Sequence, residues 1–495
     1  MNRPCVRSYG YIVKRLFLTV FLAGFSVLAG CVTNPATGEK EFSLLSREDE
    51  IALGRQGDAE IVAQYGVYDD QEVARYVDSL GQALASQSDD PSLQWTFRVL
   101  DSPVINAFAL PGGYVYVTRG LLAYMQNEAQ LAVVLGHEIG HVTARHTARQ
   151  YTSSQLAGLG VGLGAILFED VRPFLGAVET GLQLLFLQYG RDDERQADEL
   201  GVKYATKVGY EASEGSKFFT TLKRISDQQE GGMLPTWAST HPDPAEREQN
   251  IINLAAQYRQ QFPNTGQRGT NAEAFVPRFE NIIFGQNPRQ GFVQSGFFYH
   301  PELRFQFRVP SGWAVSNFAT QVQMVPNTAQ PDAAMVFLTA PNQNPSTAAS
   351  QFVSENGAQA LESQAGTLGG FPAHRLRTSI TLEDGSVLSA LSYFIQKPTP
   401  EGTMLFMFHG YTDQARYSSY ASTFETVFTS FSEVTDGGVL GVQPFRLDIF
   451  QAPRTDQFQS LVQASAITTV DDLAIMNQRT VSDQVAAGTS LKQVR

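Results

Sequence analysis

The chain has 495 residues, a formal net charge of −13 at pH 7 and two cysteines. This acidic balance, with no basic stripe and no basic patch interleaved with aromatic residues, excludes nucleic acid as an expected partner. Cys5 lies in a segment predicted to be a removed leader, so the mature chain is expected to have one cysteine, Cys31, and therefore no internal disulfide. Two or three hydrophobic cores, which the length allows, must then supply the stability.

Residues 1–30 are predicted to be an export signal, because four basic residues precede an apolar run from Leu16 to Leu28 that is too short to span a membrane. The run ends at Leu28-Ala29-Gly30-Cys31, which resembles the lipobox of bacterial lipoproteins. That resemblance implies cleavage before Cys31 and lipidation of Cys31. Val32 follows instead of a retention Asp, which by analogy implies a lipid anchor at the periplasmic face of the outer membrane. An uncleaved anchor helix or a cleaved soluble protein is the alternative.

A turn-rich tether is predicted at residues 31–45, on the basis of Asn34-Pro35-Ala36-Thr37-Gly38. A mainly helical domain is predicted over residues 46–262. It begins with a helix capped by Ser46 and Asp49, and a second helix runs from Asp70 to Ala85. Three strands then follow, at Trp95 to Leu100, Asn106 to Leu110 and Tyr114 to Thr118. A single helix is predicted from Asn127 to Arg149.

Composition changes after this helix. Residues 156–187 are apolar and glycine-rich, and a buried helical pair is favoured over a mobile lid or membrane-touching hairpin, because neither apolar half is long enough to span a bilayer. Residues 263–295 suit a linker because they are rich in Asn, Gly, Gln and Pro. A separate α+β domain is predicted at 296–434, with helices at Thr347 to Glu362 and Asp413 to Phe431, and a small C-terminal module at 442–495.

The pentad His137-Glu138-Ile139-Gly140-His141 carries the chemistry of this sequence. His137 and His141 lie one helical turn apart on one face, where two imidazoles can bind one zinc ion and Glu138 can reach an activated water. A metzincin would have Gly at position 144 and His at position 147. The chain has Ala144 and Thr147 there, which excludes that class.

The third zinc ligand is predicted to be Glu194, in a helix that also presents Asp198 on the same face. One carboxylate can bind zinc while the other accepts the second ring N–H of a zinc histidine. His146 is nine residues after His137, which on a continuous helix points it to the opposite side as a surface or packing residue.

His241, in Ser239-Thr240-His241-Pro242, and Arg247 are candidates to donate to the oxyanion of a tetrahedral intermediate. His241 could also occupy the open zinc position in a resting state. A structural turn with a capping histidine is an equally open alternative for this segment.

Together these residues resemble the zinc metallopeptidase family that includes the CAAX prenyl protease and HtpX, and most closely its lipid-anchored periplasmic branch of the BepA and LoiP type. The resemblance covers roughly residues 40–262 and includes Asn106 to Gly113 and Glu194 to Asp198. It implies a zincin-type (gluzincin) α+β fold with a small edge sheet. It also implies one Zn²⁺ on His137, His141 and Glu194, with Glu138 as the catalytic base.

The same resemblance implies that Asn106, Ala107, Phe108 and Ala109 form the edge strand on which an extended substrate lies. The expected function is therefore endopeptidase action on unfolded or misfolded envelope proteins. The rival is a chaperone or assembly adaptor with a non-catalytic or self-blocked zinc site. Weaker resemblances, PsbP-like at Pro301 to Trp313 and LysM-like at Phe445 to Val494, leave peptidoglycan as a further possible partner.

Overall fold

A computed structural model describes residues 31–157, 189–228, 241, 244–263, 267–328, 331–382 and 385–495. The predicted export signal at 1–30 and most of the glycine-rich segment 156–187 lie outside the described residues. Within the described ranges, no helix combines the length and the apolar character needed to cross a membrane.

The first half of the chain is mainly helical, as the sequence predicts. Its helices are α1 (Arg47–Tyr65), α2 (Gln71–Ala85), α3 (Arg119–Tyr124), α4 (Glu128–Thr143), α5 (His146–Ala157), α6 (Arg191–Val208), α7 (Gly215–Gln228), α8 (Pro244–Gln261) and α9 (Ala272–Phe275). Ser46 and Asp49 form a capping box at the start of α1, and Asp70 caps α2, which confirms both predicted helix starts.

Five short strands accompany these helices: β1 (Cys31–Thr33), β2 (Lys40–Phe42), β3 (Thr96–Leu100), β4 (Ala107–Leu110) and β5 (Tyr114–Thr118). β1 and β2 pair as an antiparallel hairpin. The other three form a sheet in the order β3-β5-β4, with β3 parallel and β4 antiparallel to β5. β4 therefore lies at the sheet edge, within the predicted strand Asn106 to Leu110.

The prediction of one helix from Asn127 to Arg149 is wrong. α4 ends at Thr143, Ala144 is its C-terminal cap, and Arg145 adopts a left-handed backbone conformation with φ of 57°. The chain then starts α5 in a new direction at His146. The prediction that His146 lies on the opposite side of this helix is therefore wrong, but its alternative of a packing residue agrees with the complete burial of His146.

The predicted linker, residues 263–295, is largely part of the first domain. Phe275, Phe279 and Ile282 are at most 1% exposed and belong to the core that α2, α4 and α6 share. Burying one phenylalanine contributes about 1.5–3 kcal/mol. These side chains therefore fix a segment whose Asn- and Gly-rich composition predicted mobility.

The second half of the chain is rich in β-sheet. Its strands are β6 (Phe292–Gln294), β7 (Phe297–His300), β8 (Phe305–Arg308), β9 (Trp313–Asn317), β10 (Gln321–Pro326), β11 (Ala333–Pro341), β12 (Gln359–Leu368), β13 (Phe371–Thr381), β14 (Val387–Thr399), β15 (Gly402–Asp413) and β16 (Ser432–Glu433). Helices α10 (Pro345–Glu355) and α11 (Tyr417–Thr429) accompany them. The larger sheet has the order β12-β13-β14-β15-β11-β10-β9, and the smaller has the order β16-β8-β7-β6.

Both helices of this region pack on the larger sheet. Phe352 of α10 stacks on His409, with ring centroids 4.7 Å apart, and Phe428 of α11 stacks on Phe408 at 4.9 Å. The helix predicted to reach Glu362 ends at Glu355, because Gly357 adopts a left-handed φ of 56° and the chain turns into the edge strand β12.

The C-terminal residues contain α12 (Gly437–Leu440), β17 (Leu447–Gln451), β18 (Asp456–Gln457), α13 (Val470–Met476), β19 (Gln484–Val485) and β20 (Ser490–Val494). They were predicted as a module of their own, yet Leu473 and Leu491 are buried in the same core as the helical domain. Lys492 is completely buried and its Nζ donates to the carbonyl oxygens of Ala123 (2.9 Å) and Met125. These contacts join the C-terminal residues to the end of α3.

Candidate metal centre

Four buried side chains meet at one point beside α4. Ligand atoms of His137, His141, Glu194 and His241 all lie within 4.8 Å of one another, and each residue is at most 2% exposed. His137 Nε2 is 2.9 Å from His141 Nε2 and 3.6 Å from Glu194 Oε2. The structure thus brings the three predicted ligands together, although Glu194 is more than 50 residues away in sequence.

The spacing of these atoms fits a tetrahedral zinc ion. Zinc-to-ligand distances of about 2.0–2.1 Å place neighbouring ligand atoms roughly 3.3 Å apart in a tetrahedron. His141 Nε2 is 3.4 Å from Glu194 Oε1, and His241 Nδ1 is 3.2 Å from His137 Nε2 and 2.9 Å from Glu194 Oε1. A donor set of imidazole nitrogens and one carboxylate is one that zinc prefers.

Close helix packing sets this spacing. α4 carries both histidines of the pentad and α6 carries Glu194, and the two helices approach at glycines. A Cβ added to Gly136 would lie 2.9 Å from the carbonyl oxygen of Gly201, and one added to Gly201 would lie 2.7 Å from the backbone nitrogen of His137. Only glycine leaves room for this approach.

Asp198 and Arg247 support the cluster from behind. Asp198 Oδ1 accepts from His137 Nδ1 at 3.0 Å, and Arg247 donates through Nε to Asp198 Oδ2 at 2.8 Å. Arg247 Nη1 is also 2.9 Å from Glu194 Oε2. A carboxylate on the second ring nitrogen fixes the tautomer and orientation of a metal histidine. Arg247 therefore contacts two carboxylates of the site, whereas the sequence suggested that it faces an oxyanion.

The electrostatic environment of Glu194 and His141 suits metal binding. Burial lowers the pKa of His241, but Glu194 and Glu138 outweigh burial and raise that pKa. Burial raises the pKa of the Glu194 carboxyl, but His241, His141 and Arg247 outweigh burial and hold that pKa well below its usual range. Burial is the main cause that lowers the pKa of His141, so its imidazole is neutral at pH 7. An ionised carboxylate and neutral imidazoles are the forms that bind zinc.

Glu138 faces the same point from α4. It is 1% exposed, and its Oε1 lies 3.7 Å from His241 Nε2. That oxygen has no hydrogen-bond partner within the part of the chain that the structure describes. Burial raises the pKa of Glu138, which makes its carboxylate a better proton acceptor near neutral pH.

Two residues at the cluster were not expected from the sequence. His146 is completely buried, and its Nδ1 lies 2.8 Å from His141 Nδ1. Tyr189 stacks on the His141 ring at a centroid distance of 4.0 Å, and its hydroxyl lies 3.0 Å from Thr147 Oγ1. The histidine at position 146 was visible in the sequence, but its direction depended on the unpredicted end of α4.

The predicted substrate strand lies beside the metal helix. Ala107 and Ala109 of β4 pack into the core that α4 shares, while Phe108 stacks on Tyr116 at 4.8 Å. Asn106 precedes β4, and its buried Oδ1 has no hydrogen-bond partner among the described residues. Among the described residues, no strand pairs with the outer edge of β4.

Comparison with known proteins agrees with this geometry. The model of the family described as peptidase family M48 matches residues 71–255. The chain carries an M48 zinc metallopeptidase domain. The beta-barrel assembly-enhancing protease of Escherichia coli (strain K12) is 30% identical over 237 residues, which cover 46% of this chain and 48% of that protein. The mitochondrial metalloendopeptidase OMA1 of Bos taurus is 34% identical over 173 residues, 33% of each chain.

The chain spans about half the length of the curated relatives it matches first. Among solved structures, cyanobacterial PsbP from Synechocystis matches with 16% identity and a TM-score of 0.24, covering 28% of this chain and 91% of that chain. The PsbP-like character of the sheet-rich region stays a prediction. The metallopeptidase domain, by contrast, rests on the family match together with the zinc-compatible cluster.

Proposed function

We propose that this protein is a zinc-dependent endopeptidase that hydrolyses peptide bonds of misfolded or misassembled cell-envelope proteins in the periplasm. The observation that carries the proposal is the buried cluster of His137, His141 and Glu194, with a Glu138 carboxylate oxygen beside it that has no hydrogen-bond partner among the described residues. Three protein ligands and an adjacent general base are what metal-assisted hydrolysis needs.

In this mechanism, a zinc ion held by His137, His141 and Glu194 would supply Lewis acidity to the scissile carbonyl and to the attacking water. Glu138 takes the proton from that water and gives it to the leaving amine, first as general base and then as general acid. Asp198 holds His137 in the tautomer that presents Nε2 to the metal, and Arg247 keeps Asp198 and Glu194 in place. Arg247 therefore serves to position the ligands.

The substrate is proposed to bind as an added strand beside β4. Its main chain would pair with the free edge of Ala107–Leu110, and the Oδ1 atom of Asn106 would accept one of its N–H groups. Pairing through the main chain gives affinity with loose sequence preference. It also selects unfolded chains, because a folded protein rarely offers a free strand.

His241 is proposed to occupy the fourth zinc position in a resting state. Its Nδ1 lies within 3.2 Å of ligand atoms from His137 and Glu194, where it would compete with water and substrate for a bound zinc ion. Peptide hydrolysis then requires His241 to move away. Only after this movement could the His241 ring donate to the oxyanion of the tetrahedral intermediate, which is the other role considered for it.

The location is proposed from Cys31 and from the relatives. Cys31 is exposed at the start of β1, where lipidation would anchor the domain to the periplasmic face of the outer membrane. A relative named for enhancing beta-barrel assembly supports envelope proteins as substrates. Peptidoglycan remains a proposed further partner of the C-terminal residues, resting on their LysM-like sequence.

The second candidate function is a chaperone or assembly adaptor whose zinc site does no chemistry. One observation favours it: His241 completes a set of four protein ligands, and structural zinc sites have four. In that case Glu138 would have no part in any reaction, and its replacement would leave the function of the protein unchanged.

The deciding experiment compares Glu138→Gln with the wild-type protein. We expect zinc content to stay at one ion per chain and casein cleavage to fall by roughly 10²–10⁴-fold, because the substitution removes only the proton acceptor. Glu48→Gln, on the exposed first turn of α1, is the matched control and should cleave casein normally. If wild type and Glu138→Gln cleave casein equally, the peptidase mechanism is refuted.

A further inference from the structure

The hairpin β1–β2, predicted as a loose tether, is fixed to the end of the metal helix α4. Asn34 builds its turn, because Oδ1 accepts from the backbone N–H groups of Ala36 (3.0 Å) and Thr37 (3.4 Å). Asn34 Nδ2 then donates to the carbonyl oxygen of Ala144 (2.9 Å), the cap of α4. Asn34 is 1% exposed, so this contact is a buried one.

Arg145 makes the second connection between the hairpin and the helix. Its guanidinium is fully buried and donates to Glu50 Oε1 (2.8 Å) and to Glu41 Oε1 (3.1 Å). It also donates to Ser43 Oγ (3.2 Å) and to the carbonyl oxygen of Leu45 (3.1 Å). The left-handed backbone of Arg145 is unfavourable for any residue other than glycine. Three of these partners lie at residues 41–45 and the fourth is Glu50 of α1, and together they hold Arg145 in that conformation.

The turn at Arg145 directs His146 back to the metal site. His146 Nδ1 lies 2.8 Å from His141 Nδ1, and His146 Nε2 lies 3.0 Å from Gln196 Oε1. With His141 Nε2 bound to the proposed zinc, its Nδ1–H would donate to His146 Nδ1, and His146 Nε2–H would donate to Gln196 Oε1. Such a chain fixes the tautomer and the ring orientation of a metal histidine.

We propose that the N-terminal hairpin is a positioning element of the metal centre. Asn34 and Glu41 hold the end of α4 and the turn at Arg145, the turn directs His146, and His146 orients His141. The proposal rests on the proposed assignment of His141 as a zinc ligand. It makes the segment directly after Cys31 part of the zinc site, so an anchor at Cys31 would attach next to the elements that orient His141.

The test measures zinc affinity by competition with a chromophoric chelator. We expect Asn34→Ala, Glu41→Gln and His146→Asn each to weaken zinc binding by about 10–100-fold, the range for lost support of a metal ligand. Glu39→Gln, an exposed side chain on the same hairpin, should bind zinc as the wild type does. The double variant Glu41→Gln/His146→Asn should bind no more weakly than His146→Asn, because both changes break one chain of contacts.

Unchanged zinc affinity in Asn34→Ala and Glu41→Gln would overturn the proposal. So would effects of Glu41→Gln and His146→Asn that add, because the hairpin would then act independently of His146. Asn34→Asp keeps the turn acceptor and loses the donor to Ala144, so it replaces Asn34→Ala if that variant does not fold. His141→Ala checks the ligand assignment separately. Its retention of zinc would refute that assignment and this proposal with it, whatever the hairpin variants do.

Discussion

Gly201 is the point where the two ligand helices touch, so enlarging it tests whether the metal site depends on their spacing. A Cβ atom on Gly201 would lie 2.7 Å from the backbone nitrogen of His137 and 2.9 Å from the carbonyl oxygen of Val133. Both obstacles are backbone atoms of α4. No side-chain rotation can make room, and Gly201→Ala has to move α6 away from α4.

The size of the effect follows from these distances. Ordinary contact for a Cβ begins near 3.4 Å, so the gap to His137 has to widen by about 0.7 Å. Metal sites accept ligand displacements of about 0.2 Å. We therefore expect zinc affinity to fall more than about tenfold, or ~1.4 kcal/mol. Overpacking costs roughly 1–3 kcal/mol, and the helix propensity of alanine offsets roughly 0.5–1 kcal/mol of that loss.

Chelator competition measures the zinc affinity, and urea unfolding of the metal-free protein measures the stability. Gly437→Ala is the matched control, because Gly437 begins α12 with no atom within 4 Å of an added Cβ. It should leave zinc binding unchanged and leave stability equal or slightly higher. The reasoning is refuted if Gly201→Ala binds zinc as tightly as the wild type and unfolds at the same urea concentration.

Three further outcomes are expected. His241→Ala should weaken zinc binding and speed casein cleavage by freeing the fourth position, and slower cleavage with zinc retained would instead support an oxyanion role. Burial lowers the pKa of Lys492 to about 7, whereas the unfolded chain keeps this proton up to roughly pH 10, so the free energy of unfolding should rise with pH between these values. Lys492→Met should flatten that rise. If urea unfolding at pH 6.5 and pH 9 shows the same rise in the variant and the wild type, this reasoning is contradicted. Zinc removal should lower the thermal midpoint, because zinc bound at a free concentration a thousandfold above its dissociation constant contributes about 4 kcal/mol to the free energy of unfolding. An unchanged midpoint would contradict a native metal site.

Local sequence signals predicted the helices and strands around the site well. The capping pair Ser46 and Asp49 and the apolar spacing of α2 act over a few residues, so the sequence alone defines them. The three expected ligands also meet in the structure. The i and i+4 spacing places His137 and His141 on one face of α4, and α6 offers the buried carboxylate of Glu194.

Domain limits were predicted poorly, because composition does not show where apolar residues become buried. Phe275 and Phe279 stand in an Asn- and Gly-rich stretch that indicated a linker, yet both complete the core of the helical domain. Leu473 and Leu491 do the same from the far end of the chain. A short amphipathic segment has no local signal for which of two cores it joins.

The surroundings of His141 show most clearly why the rest of the site was hidden. Nothing in Val142-Thr143-Ala144-Arg145 ends a helix by itself, since it contains neither glycine nor proline. α4 ends there because Asn34 takes the Ala144 carbonyl and Glu41 and Glu50 take the Arg145 guanidinium, from positions about 100 residues earlier. The direction of His146, and with it the hydrogen bond on His141, therefore depends on a long-range contact that no local pattern encodes.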